Sequence, residues 1–138
     1  SSRVRIDPSL LTEVSSIDNE HHELVTQFEY LLGSPDADPS SVRFSEILSE
    51  TGGLLNTHFT NEEAILKSFG MPEDDVSSHV QAHNDIMEQY AQLNLDLMHG
   101  KLPNRFDTLL MFNDWIIGHI LNHDLKIRKY VSATRLPA

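Results

Sequence analysis

The chain has no cysteine. That excludes disulfides, thiolate zinc sites, iron–sulfur clusters and cysteine nucleophiles. Glycine and proline are scarce, six of each, and mostly separate periodic stretches, which favours helices over strands and tight turns. No apolar run approaches the length a bilayer-spanning helix needs. Basic residues are few: ten Lys and Arg against 21 Asp and Glu give a formal net charge of -11. Such a surface repels phosphate backbones and anionic leaflets, so neither nucleic acid nor a membrane is expected as a partner. Any metal site in this chain has to be built from imidazole and carboxylate.

What remains is 138 residues, 39% hydrophobic, enough for one packed domain spanning 1–138. The chain opens Ser1-Ser2-Arg3 with no signal-peptide pattern, compatible with a domain excised from a longer protein; the expected location is cytoplasmic. Four helical segments are expected. The first runs from about Ser16 to Leu32, with Ile17, Leu24, Phe28, Leu31 and Leu32 near helical spacing. A breaker run, Gly33 to Pro39, separates it from a second helix capped by Ser40 or Ser41 and striped by Phe44, Ile47, Leu48, Leu54, Leu55, Phe59 and Leu66. Gly52-Gly53 interrupts that stripe at about 1 kcal/mol per glycine, a cost that close helix–helix approach would explain. Gly70-Met71-Pro72 ends it. The third helix is expected over Glu73–Met98 and the fourth over Asn104–Val131. Short connections between long helices predict an all-α, up-down-up-down four-helix bundle.

Eight histidines stand out, more by position than by number. His58 and Glu62 lie four apart on the second helix, and His79 and His83 four apart on the third, so each pair shares a helix face. His21 and His119 sit among apolar neighbours on the first and fourth. Imidazoles on inward faces of all four helices would be costly core residues without partners, and a shared metal centre is the simplest satisfier. Five histidines giving one bond each, two bridging carboxylates and one bridging oxide or hydroxide fill eleven of the twelve positions of two octahedral metals. One position is left for a small ligand. The second carboxylate falls to Asp124, five residues after His119, which an unbroken helix would place about 140° away. A local widening or shift near Asn122 is therefore expected.

These motifs resemble the hemerythrin family. Ile17-Asp18-Asn19-Glu20-His21 is similar to its first ligand motif and His58-Phe59-Thr60-Asn61-Glu62-Glu63 to its second; His79-x-x-x-His83 and His119-x-x-x-x-Asp124 complete the set. The resemblance implies two iron ions bridged by oxide or hydroxide, Glu62 and Asp124. His79, His83 and His119 would hold one iron, and His21 and His58 the other, which keeps the open position. It implies reversible binding of dioxygen there, with nitric oxide or azide-like anions as further ligands, and a pocket formed by Leu24, Phe59, Trp115 and Ile116, residues that ordinary core packing would also explain. Relatives in bacteria often begin Trp-Asp-x-Ser; Ile6-Asp7-Pro8-Ser9 lacks the tryptophan, which predicts a thinner N-terminal cover and faster autoxidation. His22 and His99 are expected at the surface and His123 outside the ligand set. Glu20, Glu23 and Glu63 read as solvated residues or as partners of ligands.

Three uses of such a site compete. The first is oxygen carriage or storage by a protein that is not an enzyme. The second is oxygen or redox sensing for an attached cyclase or chemoreceptor. The third is iron or nitric-oxide handling or weak oxidase chemistry; the chain has no Glu-x-x-His of the kind that ferritin-like di-iron enzymes pair. A zinc or single-metal store is a weaker fourth, since imidazole also suits zinc and copper.

Overall fold

The computed structural model describes residues 7–33 and 38–135, and every regular element among them is helical. Helix α1 spans Ser15–Gly33, α2 Val42–Ser68 and α3 Glu73–Met98. The fourth arm of the bundle is not one helix. It runs as α4 (Arg105–Asn113), a π turn (Asp114–Gly118), α5 (His119–Asn122), a 3-10 turn (Asp124–Lys126) and α6 (Ile127–Arg135). The segment expected over Asn104–Val131 is thus interrupted, at His123 close to the irregularity expected near Asn122 and also at a π turn further upstream. Residues 34–37 of the expected first loop, and Ile6 of the N-terminal motif, lie outside the described residues.

Local chemistry sets the boundaries. The Ser41 hydroxyl accepts the Phe44 N–H at 3.0 Å and the Asn104 side chain accepts the Asp107 N–H at 2.7 Å, each satisfying an otherwise orphaned amide of a first turn. Helices α2 and α3 both end on glycines in the left-handed region, Gly70 (φ 72°) and Gly100 (φ 75°), where a side chain would be strained. Three acidic residues, Glu73, Asp74 and Asp75, occupy the first turn of α3, where the helix dipole favours them.

Helix α1 packs on α2, α2 on α3, and α1 against α4 and the π turn, giving the up-down-up-down order. The core has two parts. One gathers Leu24, Phe28, Leu31, Phe44, Leu48, Leu55, Phe59, Phe112, Trp115 and Ile120 with their neighbours. The other gathers Ile17, Leu66, Met71, Ile127 and Val131. Along α1, His21 falls between Ile17 and Leu24; along α2, His58 and Glu62 fall between Leu55 and Leu66. The polar residues therefore form one layer between two apolar ones. No helix among the described residues is long and apolar enough to cross a membrane.

The N-terminal arm is tied down from Asp7 onward. Arg128 of α6 donates to the carbonyls of Leu11 (2.6 Å) and Ser9 (2.8 Å), and the buried Thr12 donates its N–H and hydroxyl to Asp18 at 2.8 and 2.9 Å.

The two adjacent glycines of α2 differ. A Cβ on Gly52 would lie 2.2 Å from the Tyr90 ring, whose hydroxyl donates to the Leu48 carbonyl at 2.8 Å and pins α3 to α2. Gly53 is exposed and has nothing nearby, so close approach explains only the first. Gly53→Ala is expected to raise stability by about 0.5–1 kcal/mol and Gly52→Ala to lower it by about 1–3 kcal/mol, read by thermal or urea denaturation.

Candidate metal centre

The local rule that builds the site is helical periodicity. On α1, Ile17, His21, Leu24, Phe28 and Leu31 are spaced four, three, four and three, so all are buried along one stripe. On α3 the stripe is His79, His83, Ile86 and Leu93. The fourth arm keeps that spacing through Thr108, Phe112, Trp115 and His119 and departs from it at Asp124, five residues on. Its π turn precedes His119, and at His123 the backbone leaves helical geometry (φ -130°, ψ -57°) before the 3-10 turn begins at Asp124. The His123 N–H still reaches the His119 carbonyl at 2.8 Å, whereas the Lys126 N–H reaches only back to His123, at 3.2 Å. The helical ladder between Ile117 and Lys126 is broken, as the five-residue offset requires, and Asp124 turns inward to full burial.

The structure brings His21, His58, Glu62, His79, His83, His119 and Asp124 together, each at most 5% exposed. Their ligand atoms form two groups, each within 4.8 Å: Glu62, His79, His83, His119 and Asp124, and His21, His58, Glu62 and Asp124. Both carboxylates belong to both groups. Glu62 Oε1 contacts the Nε2 atoms of His79, His83 (3.0 Å) and His119 (3.7 Å), while its Oε2 faces His58 (3.1 Å) and His21 (3.6 Å). Asp124 divides its oxygens likewise: Oδ1 lies 2.8 Å from His79 and 3.0 Å from His119, and Oδ2 lies 2.9 Å from His21. One oxygen of each carboxylate thus serves each group.

Hydrogen bonding alone leaves this cluster poorly satisfied. His58 Nε2, Glu62 Oε2 and both Asp124 oxygens are buried without a hydrogen bond, although polar atoms lie within about 3 Å. The Nε2 atoms of His83 and His119 face each other at 3.0 Å, so at most one of the two can carry a proton without two N–H groups meeting head-on. Convergent imidazole nitrogens and carboxylate oxygens fit a pair of metal ions in the middle, and the donor set suits iron, zinc or copper.

The electrostatics point the same way. Burial disfavours the charged forms of His21 and His79, but Asp124 and Glu62 outweigh it and raise both to about 9. His119 is raised by the same partners against the same burial. Burial raises Glu62 and Asp124, and the histidines around them prevail, holding both carboxyls below the ordinary range. Negative charge in the core is thus held by positive charge, from protons or from metal.

Around this layer, Phe59 stacks on His83 (4.0 Å, 14°). Trp115 donates its indole N–H to Gln89 at 2.8 Å and packs on Phe28 and Phe112. Leu24, Phe59, Trp115 and Ile116 all lie in the larger apolar cluster. Ile116 also lines an apolar groove of about 290 Å³ between α1 and the fourth arm, with Val25, Phe28, Leu32, Leu109 and Phe112. His99 is exposed and His22 partly so. His123 stands in neither donor group; its ring lies over that of His119 (5.1 Å, 30°), and burial, with the charge on His119 and His79, lowers its pKa.

A family model, the hemerythrin HHE cation-binding domain, matches residues 12–130. The chain belongs to the hemerythrin family. A myohemerythrin from Theromyzon tessulatum is 30% identical over 112 residues, covering 81% of this chain and 80% of that protein. A bacteriohemerythrin from Campylobacter jejuni subsp. jejuni serotype O:23/36 (strain 81-176) is 25% identical over 116 residues, covering 83% and 84%. No solved structure matches significantly. Hemerythrins bind dioxygen at a di-iron centre, and the buried cluster of this hemerythrin has the histidines and carboxylates to hold metal ions.

A pH dependence follows for chelator-treated protein. His21 and His79 have folded values above the unfolded 6.5, so the stability they contribute is full below about pH 6.5 and lost as pH rises through about 9. Asp124 and Glu62 have lowered values, so their contribution is present at neutral pH and lost in acid. The melting temperature of the metal-free chain should peak near pH 5–6 and fall toward pH 9, and loading metal at pH 7 should release protons. A pH-stat titration checks the second; no proton release would contradict the assignment.

Proposed function

We propose that this hemerythrin binds dioxygen reversibly at two irons, as a carrier or store. The observation that carries the reading is the division of each buried carboxylate between two histidine groups of unequal size. By that division His79, His83 and His119 would hold one iron and His21 and His58 the other, with Glu62 and Asp124 shared between them. Two irons so held would supply one vacant coordination position and the electrons a bound diatomic ligand draws on.

The chain's own residues do the rest. The smaller histidine group would leave room for a small ligand beside His21 and His58. Phe59 stacks on His83, and Leu24, Trp115 and Ile116 share its apolar cluster; a pocket lined by these four would exclude water and admit a neutral diatomic gas more readily than a hydrated ion. Five imidazoles against two carboxylates carry little negative charge for high-valent iron, which favours reversible binding over oxygen activation and hence a non-enzymatic role. The named relatives, a myohemerythrin and a bacteriohemerythrin, support the dioxygen-binding reading.

Loading with ferrous iron under nitrogen, followed by air, should produce a visible absorption band that disappears when oxygen is removed and returns on the next cycle. Direct passage to a permanently oxidised spectrum would contradict the carrier role. His58→Ala should leave about one iron per chain, measured by metal analysis; retention of both would overturn the division of ligands.

A further inference from the structure

Two glutamates next to the cluster are not in it. Glu20 precedes His21 on α1, and Glu63 follows Glu62 on α2, each about 100° round its helix from an inward residue. Neither points to solvent. Glu20 Oε1 lies 2.9 Å from His58 Nδ1, and its Oε2 accepts the Asn61 side-chain N–H at 2.9 Å. Glu63 Oε2 lies 2.8 Å from His83 Nδ1. The glutamate side chains are 23% and 27% exposed, while the imidazoles they touch are buried.

The pattern is crosswise and evenly divided. A carboxylate on α1 fixes an imidazole on α2, and a carboxylate on α2 fixes an imidazole on α3. His58 belongs to the two-histidine group and His83 to the three-histidine group. Each group therefore has a histidine backed by a carboxylate from the preceding helix. The outer nitrogen of His21, by contrast, is buried without a hydrogen bond.

A carboxylate can only accept, so each imidazole carries a proton on Nδ1, and with a metal held it would turn a bare Nε2 inward. A negative charge on the far side of the ring makes that Nε2 a stronger donor and stabilises the more highly charged metal. We propose that Glu20 and Glu63 are positioning residues that separately set the affinity and reduction potential of the two metal positions, Glu20 acting through His58 and Glu63 through His83. This rests on the two-iron reading above. Asn61 also engages Glu20 and disperses part of its charge, so Glu63 exerts the stronger pull.

The test uses Glu20→Gln and Glu63→Gln, which keep an acceptor at the same place and remove the charge, together with the corresponding alanine variants. All are loaded with ferrous iron and compared with the unaltered chain. Two irons per chain in the unaltered protein is the control, and its absence would refute the two-iron reading and not this proposal. With the control met, chelator challenge should release iron in two phases. Glu20→Gln should speed one phase and Glu63→Gln the other by roughly 10–100-fold, and the double variant should speed both. The midpoint potential should rise in each glutamine variant, more in Glu63→Gln, a change that loss of packing alone would not produce. The alanine variants should release iron at least as fast as the glutamine ones. Glutamine variants with unaltered release rates and potential, or both acting on the same phase, would overturn the proposal.

Discussion

Glu62 and Asp124 are fully buried at the centre of a helical bundle, two carboxylates with no path to water. An isolated buried carboxylate costs many kcal/mol, so it either takes up a proton or gathers positive charge. Here their oxygens are divided between two sets of imidazoles, and that division organises the rest. It sets the layer at which each helix must present a histidine. It separates the apolar core into one cluster on either side of the polar layer. It also explains why the fourth arm gives up regular helix where the other three do not.

That irregularity is a local cost met by a central gain. A π turn before His119 and a break at His123 forgo regular hydrogen bonds along nine or so residues. In return, side chains five apart converge. The Glu62–His58 pair needs no such help, because a spacing of four already shares a face. One carboxylate is delivered by helical periodicity and the other by departing from it.

Much of this was legible in the residue order. Glycines, prolines and capping side chains mark the ends of α1, α2 and α3 closely, because those signals are local. The inward histidines were legible because a spacing of three or four fixes a face. The need for an irregularity was legible from the arithmetic of His119 and Asp124, and its general position near Asn122 was right; its form was not, since a π turn upstream and a 3-10 turn downstream depend on how the arm packs. The roles of Glu20 and Glu63 were only half visible. Their partners lie 38 and 20 residues away, and nothing local distinguishes them from Glu23, which is exposed. Their positions beside His21 and Glu62 were the available signal. Gly52 and Gly53 look alike in the chain and differ only in that Tyr90 lies over one of them.

The account stands on two metals sharing two carboxylates inside an unequal histidine shell. X-ray absorption at the iron edge of the loaded protein examines that directly. It should show an iron–iron vector and an average of about 2.5 imidazoles per iron, five histidines divided over two metals. A single iron per chain, or two irons with no mutual scattering, would contradict it.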